Sequence, residues 1–406
     1  MEVKYCRICL SKLVKIIDFG KIALVNDFRK KGNNSKFKIS LSFCSKCKHV
    51  QIPNLINPKK LFENYIWETG VSRTNNLIIF DLIKKLKKFG LKKKSSILDI
   101  ASNDGILLKL FKLKIGCSIL GIDPAKNLAK KANQKGLNTL ARFFNYNVSK
   151  FIKKKFGNFN FIFARNVVAH VKNPNEIFKG ACNLLSNDGI FVVEVPHLLN
   201  ILNDNQYDNI YHEHIGFHSL KSLVDLANRN GLKAFKVEKI DSQGGSLRCF
   251  FKKESSSVPK IHISISEKLK LERKNNLFNP INLKKYKFKI DDHRKNFLKF
   301  LKKLKDKKKK ISVYGASGRG QSLLQFCNIG NNIIDVAYDK SKMKQKRKTP
   351  GTYIPVKDPR KISKKNIDYL LILSWNLRKE ILKQENSFRN KGGKFIVPFP
   401  KPKIIN

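Results

Sequence analysis

The chain has 406 residues, enough for two or three domains that each bury a core. Its formal net charge of +54 would ordinarily suggest a nucleic-acid partner, but only 14 of the 84 basic residues are arginine, and the lysine runs lie in helical patterns rather than among aromatic residues. Specific nucleic-acid binding is therefore not expected. No apolar run approaches the roughly 18 residues that span a bilayer, and the N-terminus lacks the order of a signal peptide, so we expect a cytoplasmic protein without a membrane partner.

Two cysteine pairs stand near the N-terminus, Cys6-x-x-Cys9 and Cys44-x-x-Cys47. Four thiolates in two such pairs form the tetrahedral ligand set that Zn²⁺ prefers. The long stretch between the two pairs makes them a stronger sign of a metal than of a particular fold. Unpaired buried thiols or a redox pair remain alternatives. Because four cysteines close the coordination sphere, we predict a structural zinc that organises residues 1–60 and does not touch substrate.

A strand pattern at Ser96–Ile100 leads into the loop 101–105 and a helical pattern, and a second strand, Ser118–Ile122, ends at Asp123. Parallel strands deliver ligand loops at their carboxyl ends, and an acid at the second strand can accept hydrogen bonds from ribose hydroxyls. S-adenosylmethionine and NAD both carry that ribose. Asp104 would repel a pyrophosphate, so the loop favours S-adenosylmethionine. An ordinary strand–helix–strand unit remains the alternative.

Further strands are predicted over 159–164, 189–195, 233–240 and 246–252, which indicates one doubly wound sheet across residues 61–254. A lysine-rich helical stretch follows over 265–310. The alternation then restarts at Ile311, with later strands over 333–338, 369–373 and 394–397, and predicts a second Rossmann-like domain within residues 255–406. The fold class is therefore α/β, with two nucleotide-type sheets behind a small N-terminal zinc-binding module.

The second Rossmann-like domain opens with a glycine-rich loop, Gly315-x-x-Gly318-x-Gly320. The loop departs from the dinucleotide pattern GxGxxG. It either holds a phosphate at a helix start, with Arg319 as the counter-charge, or merely turns tightly. The basic residue at the helix start favours the phosphate.

The segment Tyr211-His212-Glu213-His214 concentrates groups that can transfer protons. A metal site is one interpretation, but the HExxH spacing that places two histidines on one helix face is absent. Acid–base chemistry fits better, because a histidine titrates near neutral pH and a neighbouring carboxylate can fix its tautomer. A hydrogen-bonded structural cluster also remains open. His170, after the strand over 159–164, is placed at the same rim of the predicted cleft.

The chain resembles the three-domain sugar-nucleotide C-methyltransferases, through motifs that follow one another in that family's order over nearly the whole length. Besides the cysteine pairs these are Ala23-Leu24-Val25-Asn26-Asp27-Phe28, Asp99-Ile100-Ala101-Ser102-Asn103-Asp104-Gly105, Asn166-Val167-Val168-Ala169-His170, Ile210-Tyr211-His212-Glu213-His214, Gly244-Gly245-Ser246-Leu247-Arg248, Tyr314-Gly315-Ala316, Thr349-Pro350-Gly351-Thr352 and Leu373-Ser374-Trp375-Asn376. The resemblance implies a zinc-binding domain over 1–60, a central class I methyltransferase domain over 61–254 and a C-terminal domain over 255–406 that helps hold a nucleotide-sugar.

The resemblance also implies a reaction, the methylation of C3 in a 4-keto-6-deoxy sugar attached to a nucleoside diphosphate. Carried over by motif, His214 is the base that removes the proton next to the carbonyl. Glu213 and Tyr211 orient the base or the sugar, and His170 donates to the developing oxyanion. An O- or N-methyltransferase acting on another small molecule, or a zinc and nucleotide-sugar binding protein without catalysis, are the alternative classes.

We expect cofactor contacts from Tyr65, Ser72, Asp99, Ala101, Asn103, Gly105, Asp123 and Asn166. For the nucleotide we expect contacts from Tyr314, Gly315 and Arg319. Three places depart from the family's pattern. Ala101 stands where glycine is usual, which costs backbone freedom, Pro196-His197 follows Glu194 and Val195 where an aromatic is common, and Gly318-Arg319 replaces an Ala-Lys pair.

Overall fold

The computed structural model describes residues 3–63, 65–363 and 367–405. Over these residues the strands form a four-stranded, a seven-stranded and a six-stranded sheet. The strands are β1 Val14–Ala23, β2 Lys36–Phe43, β3 Val50–Gln51, β4 Ser96–Ile100, β5 Ser118–Ile122, β6 Thr139–Leu140, β7 Phe159–Arg165, β8 Leu185–Pro196, β9 Gly216–Phe217, β10 Leu232–Ile240, β11 Ser246–Lys253, β12 Ile311–Tyr314, β13 Ala337–Tyr338, β14 Val356–Lys357, β15 Tyr369–Ile372, β16 Lys394–Val397 and β17 Lys403–Ile405.

The helices lie mainly between these strands and cover the sheets. They are α1 Pro58–Phe62, α2 Arg73–Lys87, α3 Ile106–Ile115, α4 Lys126–Gln134, α5 Tyr146–Phe156, α6 Pro174–Leu184, α7 Leu198–Asn203, α8 Leu220–Asn228, α9 Ser264–Lys274, α10 Pro280–Asp306, α11 Gly318–Phe326, α12 Arg378–Gln384 and α13 Asn386–Asn390. Within the described ranges, none of them is both long enough and apolar enough to cross a membrane.

The central sheet has the strand order β10-β11-β8-β7-β4-β5-β6. β11 runs antiparallel to both of its neighbours, and the other adjacent strands run parallel. The chain passes from β4 outward through β5 and β6, then returns to the other side of β4 with β7. A crevice opens at the carboxyl ends of strands where the order reverses in this way, and the loops after β4, β5, β7 and β8 meet there. The prediction of an α/β fold with a doubly wound central sheet is confirmed.

The C-terminal sheet has the order β14-β13-β12-β15-β16-β17, parallel except for β17. Its strand predicted over 333–338 is much shorter, since only Ala337 and Tyr338 pair as a strand. The backbone N–H groups of Ile333 and Ile334 both donate to the carbonyl of Gly330, so the chain is still turning there. Apolar residues in that turn resembled a strand in the sequence because turn and strand both bury them.

The hydrophobic cores connect the predicted domains. One core joins Ile22 and Phe28 of the N-terminal segment to Leu323 of α11 and to Val313 of the C-terminal sheet. Another joins the buried cysteines of the N-terminal segment to the central sheet. The N-terminal sheet also takes its last strand, β9, from the centre of the chain. The predicted boundaries at 60/61 and 254/255 stay predictions, and packing across the first of them is extensive.

Candidate active site

The four N-terminal cysteines come together as the spacing predicts. Their sulfur atoms all lie within 4.8 Å of one another, with 3.4 Å between Cys6 and Cys47 and 3.4 Å between Cys9 and Cys44. Zn–S bonds of about 2.3 Å in a tetrahedron place sulfurs roughly 3.8 Å apart. The donor set and its dimensions therefore fit a structural Zn²⁺.

A cavity of about 470 Å³ opens at the carboxyl edge of the central sheet. All three segments of the chain line it, from Asn26 near the N-terminus to Leu377 near the C-terminus. The predicted site residues that line it are Tyr65, Ser72, Asp99, Ala101, Asn103, Asp123, Asn166, His170, Tyr211, Glu213, His214 and Arg319. Three predicted residues, Gly105, Tyr314 and Gly315, lie outside the cavity lining.

The acid after β5 is anchored by the loop after β4. The backbone N–H of Asn103 donates to Oδ2 of Asp123 at 2.8 Å, and that of Ala125 donates to Oδ1 at 2.8 Å. Each oxygen keeps a further lone pair that a ribose hydroxyl can use. Ala101, Asn103 and Gly105 have φ angles of 59°, 55° and 76°, so the loop turns through three left-handed residues.

Gly105 supports this loop without facing the cavity. A Cβ atom on it would lie 2.6 Å from Cδ1 of Leu137, and its φ is positive, so only glycine fits without strain.

The linker before α2 covers the same loop. Asn103 accepts at Oδ1 from the N–H of Thr69 at 3.0 Å and donates from Nδ2 to the carbonyl of Trp67 at 3.0 Å. Asp104 accepts from Oγ1 of Thr69 at 2.8 Å and from the N–H of Gly70 at 3.1 Å. Asp104 therefore holds the linker and does not line the cavity.

Ser72, the last residue of the linker, is the N-cap of α2. Its Oγ accepts from the N–H of Asn75 as the helix cap and donates to Oε2 of Glu380 at 3.3 Å. The linker is thereby tied to the C-terminal segment as well as to the cofactor loop.

Buried polar atoms without partners lie around the cavity. Among the described residues, Oγ of Ser102, Oδ1 of Asn166 and Nδ1 of His170 have no hydrogen-bond partner, and all three residues line the cavity. Such atoms are costly unless a ligand or water completes them. Burial raises the pKa of Asp99 to about 7, although Arg165 opposes the shift. A ligand with hydroxyls and positive charge, such as S-adenosylmethionine, suits this lining.

His214 is held in one tautomer by two hydrogen bonds. Its Nδ1 lies 2.9 Å from the carbonyl of Asn209, which can only accept, so Nδ1 carries the proton. Nε2 is then the basic nitrogen, and it accepts from the hydroxyl of Tyr211 at 2.8 Å. Burial lowers the pKa of His214 well below 6.5, which keeps the ring neutral at physiological pH. The partner that fixes the tautomer is therefore a backbone carbonyl rather than the neighbouring carboxylate that the sequence suggested.

Glu213 contacts different groups. Its Oε2 accepts from the hydroxyl of Tyr65 at 3.1 Å, and its Oε1 accepts from Nδ2 of Asn26 at 2.5 Å. Burial raises the pKa of Glu213 to about 7. Asn26 thus joins the N-terminal segment to the site. The sequence motif 23–28 contains Asn26 without marking it as a site residue, and the signal for it is an amide side chain directly after the apolar run 23–25.

His170 stands edge-on to His214, with 4.7 Å between ring centroids. Burial lowers the pKa of His170 to about 4, so the ring is neutral at physiological pH. Among the described residues, its buried Nδ1 has no hydrogen-bond partner. This nitrogen is therefore available to a bound substrate.

Arg319 lines the cavity, but its guanidinium is engaged inside the protein. Nε and Nη2 donate to the two carboxylate oxygens of Asp208 at 2.9 and 2.8 Å, and Nη1 donates to the carbonyl of Gln243 at 2.6 Å. The guanidinium also lies 5.0 Å from the ring of Trp375, whose Nε1 donates to Asp208. Tyr314 instead donates to Gln384. No pattern in the sequence marked Asp208 as the partner of Arg319, because the two residues are 111 positions apart.

Comparison with known proteins agrees with this architecture. Residues 6–62 match a family model for a zinc binding domain, residues 73–237 one for a methyltransferase domain, and residues 241–400 one for a C-methyltransferase C-terminal domain. The C-methyltransferase NovU of Streptomyces niveus is 30% identical over 409 residues, covering 99% of this chain and 96% of that protein.

Solved structures match a little under half of the chain, and more weakly. A magnesium protoporphyrin IX methyltransferase from Synechocystis PCC 6803 is 10% identical, with a TM-score of 0.33 over 44% of this chain and 79% of that one. An S-adenosylmethionine-dependent methyltransferase from Clostridium acetobutylicum is 13% identical, with a TM-score of 0.36 over 45% of this chain and 93% of that one. These scores are too low to support an argument about function.

The doubly wound sheet, the cavity at its carboxyl edge and the matched domains together define an S-adenosylmethionine-dependent methyltransferase with a zinc-binding module. The near full-length match to a C-methyltransferase goes further. This chain belongs to the C-methyltransferase family, and the transfer it catalyses is to carbon.

Proposed function

We propose that the protein methylates C3 of a 4-keto-6-deoxy sugar carried on a nucleoside diphosphate, with His214 as the base. The observation that carries this proposal is the tautomer of His214, which leaves Nε2 as the basic nitrogen of a residue that lines a cavity formed by all three segments. A carbon next to a ketone is acidified by the carbonyl, so a neutral imidazole within reach of its proton is the group that the reaction needs. An O- or N-methyltransferase would not need a base placed for a carbon acid.

In the proposed reaction the C3–H bond breaks, the proton passes to Nε2 of His214, and the electron pair forms an enolate. His170 lines the same cavity, and its unpartnered Nδ1, carrying the proton of the neutral ring, is the proposed donor to the enolate oxygen. S-adenosylmethionine, when bound, supplies the electrophilic methyl group that the enolate carbon receives. Tyr65 and Asn26 hold Glu213 in place beside these histidines.

We assign the cofactor to the loops after β4 and β5. Asp123 is the proposed partner of the ribose, with Asp99, Ala101, Asn103 and Asn166 around the cofactor and Gly105 shaping the loop. Tyr65 and Ser72 close the linker side. This assignment is supported by the anchored carboxylate of Asp123 and by the unpartnered atoms of Ser102 and Asn166.

The nucleoside diphosphate is proposed to lie towards the C-terminal segment, along the loop over 314–320. Gly318 and Arg319 of that loop line the cavity, as does Lys344. Lys344 is 3% exposed, and its Nζ donates to the carbonyl of Ala316 at 2.9 Å and pairs with Oδ2 of Asp339 at 3.3 Å. An ammonium has three donors, so one N–H of Lys344 is proposed to bind the diphosphate.

The test is incubation with methyl-labelled S-adenosylmethionine and a panel of nucleoside-diphosphate 4-keto-6-deoxy sugars that vary the base and the stereochemistry. We expect label on C3 of at least one sugar and loss of turnover in His214→Asn with cofactor binding retained. The matched control is His262→Asn, because His262 is exposed and lies outside the cavity lining. Label on an oxygen, a nitrogen or another carbon would refute the proposal.

A further inference from the structure

An arginine of the zinc-binding knuckle contacts the backbone of the segment that carries His214. Arg7 lies between Cys6 and Cys9 and is 8% exposed. Its Nη1 donates to the carbonyl of Ile215 at 2.9 Å, and its Nη2 donates to the carbonyl of Ile52 at 2.5 Å. The guanidinium therefore bridges the N-terminal segment and the residue that directly follows His214.

Ile215 connects this contact to both histidines of the site. Its N–H donates at 2.8 Å to the carbonyl of Ala169, the residue before His170, and its carbonyl also accepts from the N–H of Ile52 at 3.0 Å. The backbone of one residue thus fixes the spacing of the two histidine segments. A group that binds the carbonyl of Ile215 therefore also restrains the positions of His170 and His214 relative to each other.

The backbone of Arg7 is held in place by several hydrogen bonds. The backbone N–H of Arg7 donates to Oε1 of Gln51 at 2.9 Å, and Nδ2 of Asn175 in α6 donates to the carbonyls of Arg7 and Ile8 at 3.0 and 3.2 Å. With the flanking cysteines held in one cluster, the Cα of Arg7 has little freedom. A planar guanidinium can then donate to two carbonyls in fixed directions, which a lysine cannot reproduce.

We propose that Arg7 is a positioning residue for the reaction: anchored in the zinc knuckle, it holds the carbonyl of Ile215 and so sets His214 against His170. The proposal rests on the proposed function, because it takes His214 as the base. The hydrogen bond from the N–H of Ile52 to the carbonyl of Ile215 does not involve Arg7. Loss of the guanidinium therefore loosens the segment over 210–217 without unfolding it. A displacement of about 1 Å between catalytic groups is enough to cost roughly 100-fold in rate.

The test compares Arg7→Met and Arg7→Lys with Arg389→Met, a change of an exposed arginine in α13. Metal analysis should find zinc retained in all three, and calorimetry should find S-adenosylmethionine affinity within about twofold. We expect Arg7→Met to lower kcat by roughly 10- to 100-fold with little change in KM. Arg7→Lys should recover part of that loss, because one of the two carbonyl contacts can be kept.

Hydrogen–deuterium exchange supplies a measurement that does not depend on turnover. Amides over 210–217 should exchange at least several-fold faster in Arg7→Met than in the unchanged protein or in Arg389→Met. Unchanged exchange and unchanged kcat would overturn the proposal, and so would loss of zinc in both Arg7 variants, since Arg7 would then act on the metal site itself. Full turnover in His214→Asn would refute the proposed base, whereas the exchange result would still report on Arg7.

Discussion

The hydroxyl of Tyr211 donates to Nε2 of His214 across 2.8 Å, so the nitrogen proposed to take the substrate proton is already hydrogen-bonded in the resting protein. Burial and the nearby Glu213 raise the pKa of Tyr211 well above 10, and burial lowers that of His214 well below 6.5. Transfer of the phenolic proton to the imidazole is therefore uphill. Tyr211 is suited to holding the ring, and it must release Nε2 when the substrate proton is taken.

Tyr211→Phe should therefore be less damaging than His214→Asn. We expect the rate of C3 proton removal to fall by roughly 10- to 100-fold in the phenylalanine variant and by at least about 1000-fold in the asparagine variant. The larger loss is in the range that a positioned base contributes. The measurement is exchange of the C3 hydrogen of the keto-sugar with D₂O, followed by NMR without cofactor. Equal losses in the two variants would contradict this order and indicate that the proton passes through the phenol.

Cofactor affinity should depend on pH through Asp99. Its raised pKa of about 7 means that the carboxyl is about half protonated at pH 7 before a ligand binds. A cation favours the carboxylate, so binding releases a proton, and affinity should fall by up to about tenfold per pH unit below pH 7 and level off above it. Calorimetry between pH 5.5 and 8.5 measures this trend.

Asp99→Asn should bind the cofactor more weakly at pH 8 and lose most of the pH dependence. Glu213→Gln is the matched control, because burial also raises the pKa of Glu213 to about 7. If the pH dependence persists in Asp99→Asn and disappears in Glu213→Gln, the titrating carboxyl is Glu213 and the assignment to Asp99 is wrong.

Ala101→Gly should stabilise the protein. The φ of Ala101 is 59°, a left-handed conformation that costs an L-residue roughly 1–2 kcal/mol and glycine almost nothing. The greater freedom of glycine in the unfolded chain offsets part of the gain, so we expect about 0.5–1 kcal/mol in the free energy of unfolding. Ala125→Gly, at a φ of −75°, is the control and should bring no stabilisation. Urea unfolding distinguishes the two, and a loss of stability in Ala101→Gly would count against the left-handed loop.

The Arg319→Lys variant tests whether the guanidinium of Arg319 stabilises the packed protein or binds phosphate. The lysine cannot reproduce the two-oxygen contact with Asp208 or the position over Trp375, so we expect a lower melting temperature and a kcat reduced by about tenfold or more. Calorimetric melting and steady-state kinetics measure both quantities. A rise in KM for the nucleotide-sugar alone, with the melting temperature unchanged, would show instead that the guanidinium contacts phosphate.

Local patterns predicted much of this protein. Apolar runs that end in polar loops placed β4, β5 and β7 within one or two residues, because buried parallel strands need continuous apolar sequence. The cysteine pairs predicted their own cluster, since two cysteines with two residues between them can bind one ion. The strand over 333–338 was overestimated for the same reason, because burial alone does not distinguish a turn from a strand.

The sequence by itself determined the class of fold, the four metal ligands and the membership of the histidine segment in the site, because each depends on residues close together in the chain. Only the tertiary structure decided what those residues contact. The tautomer of His214 depends on the carbonyl of Asn209, Arg319 is engaged by Asp208, and Arg7 reaches a carbonyl 208 residues away. Backbone carbonyls are present at every residue and carry no mark in the sequence, so contacts of this kind become visible only when the three segments pack together.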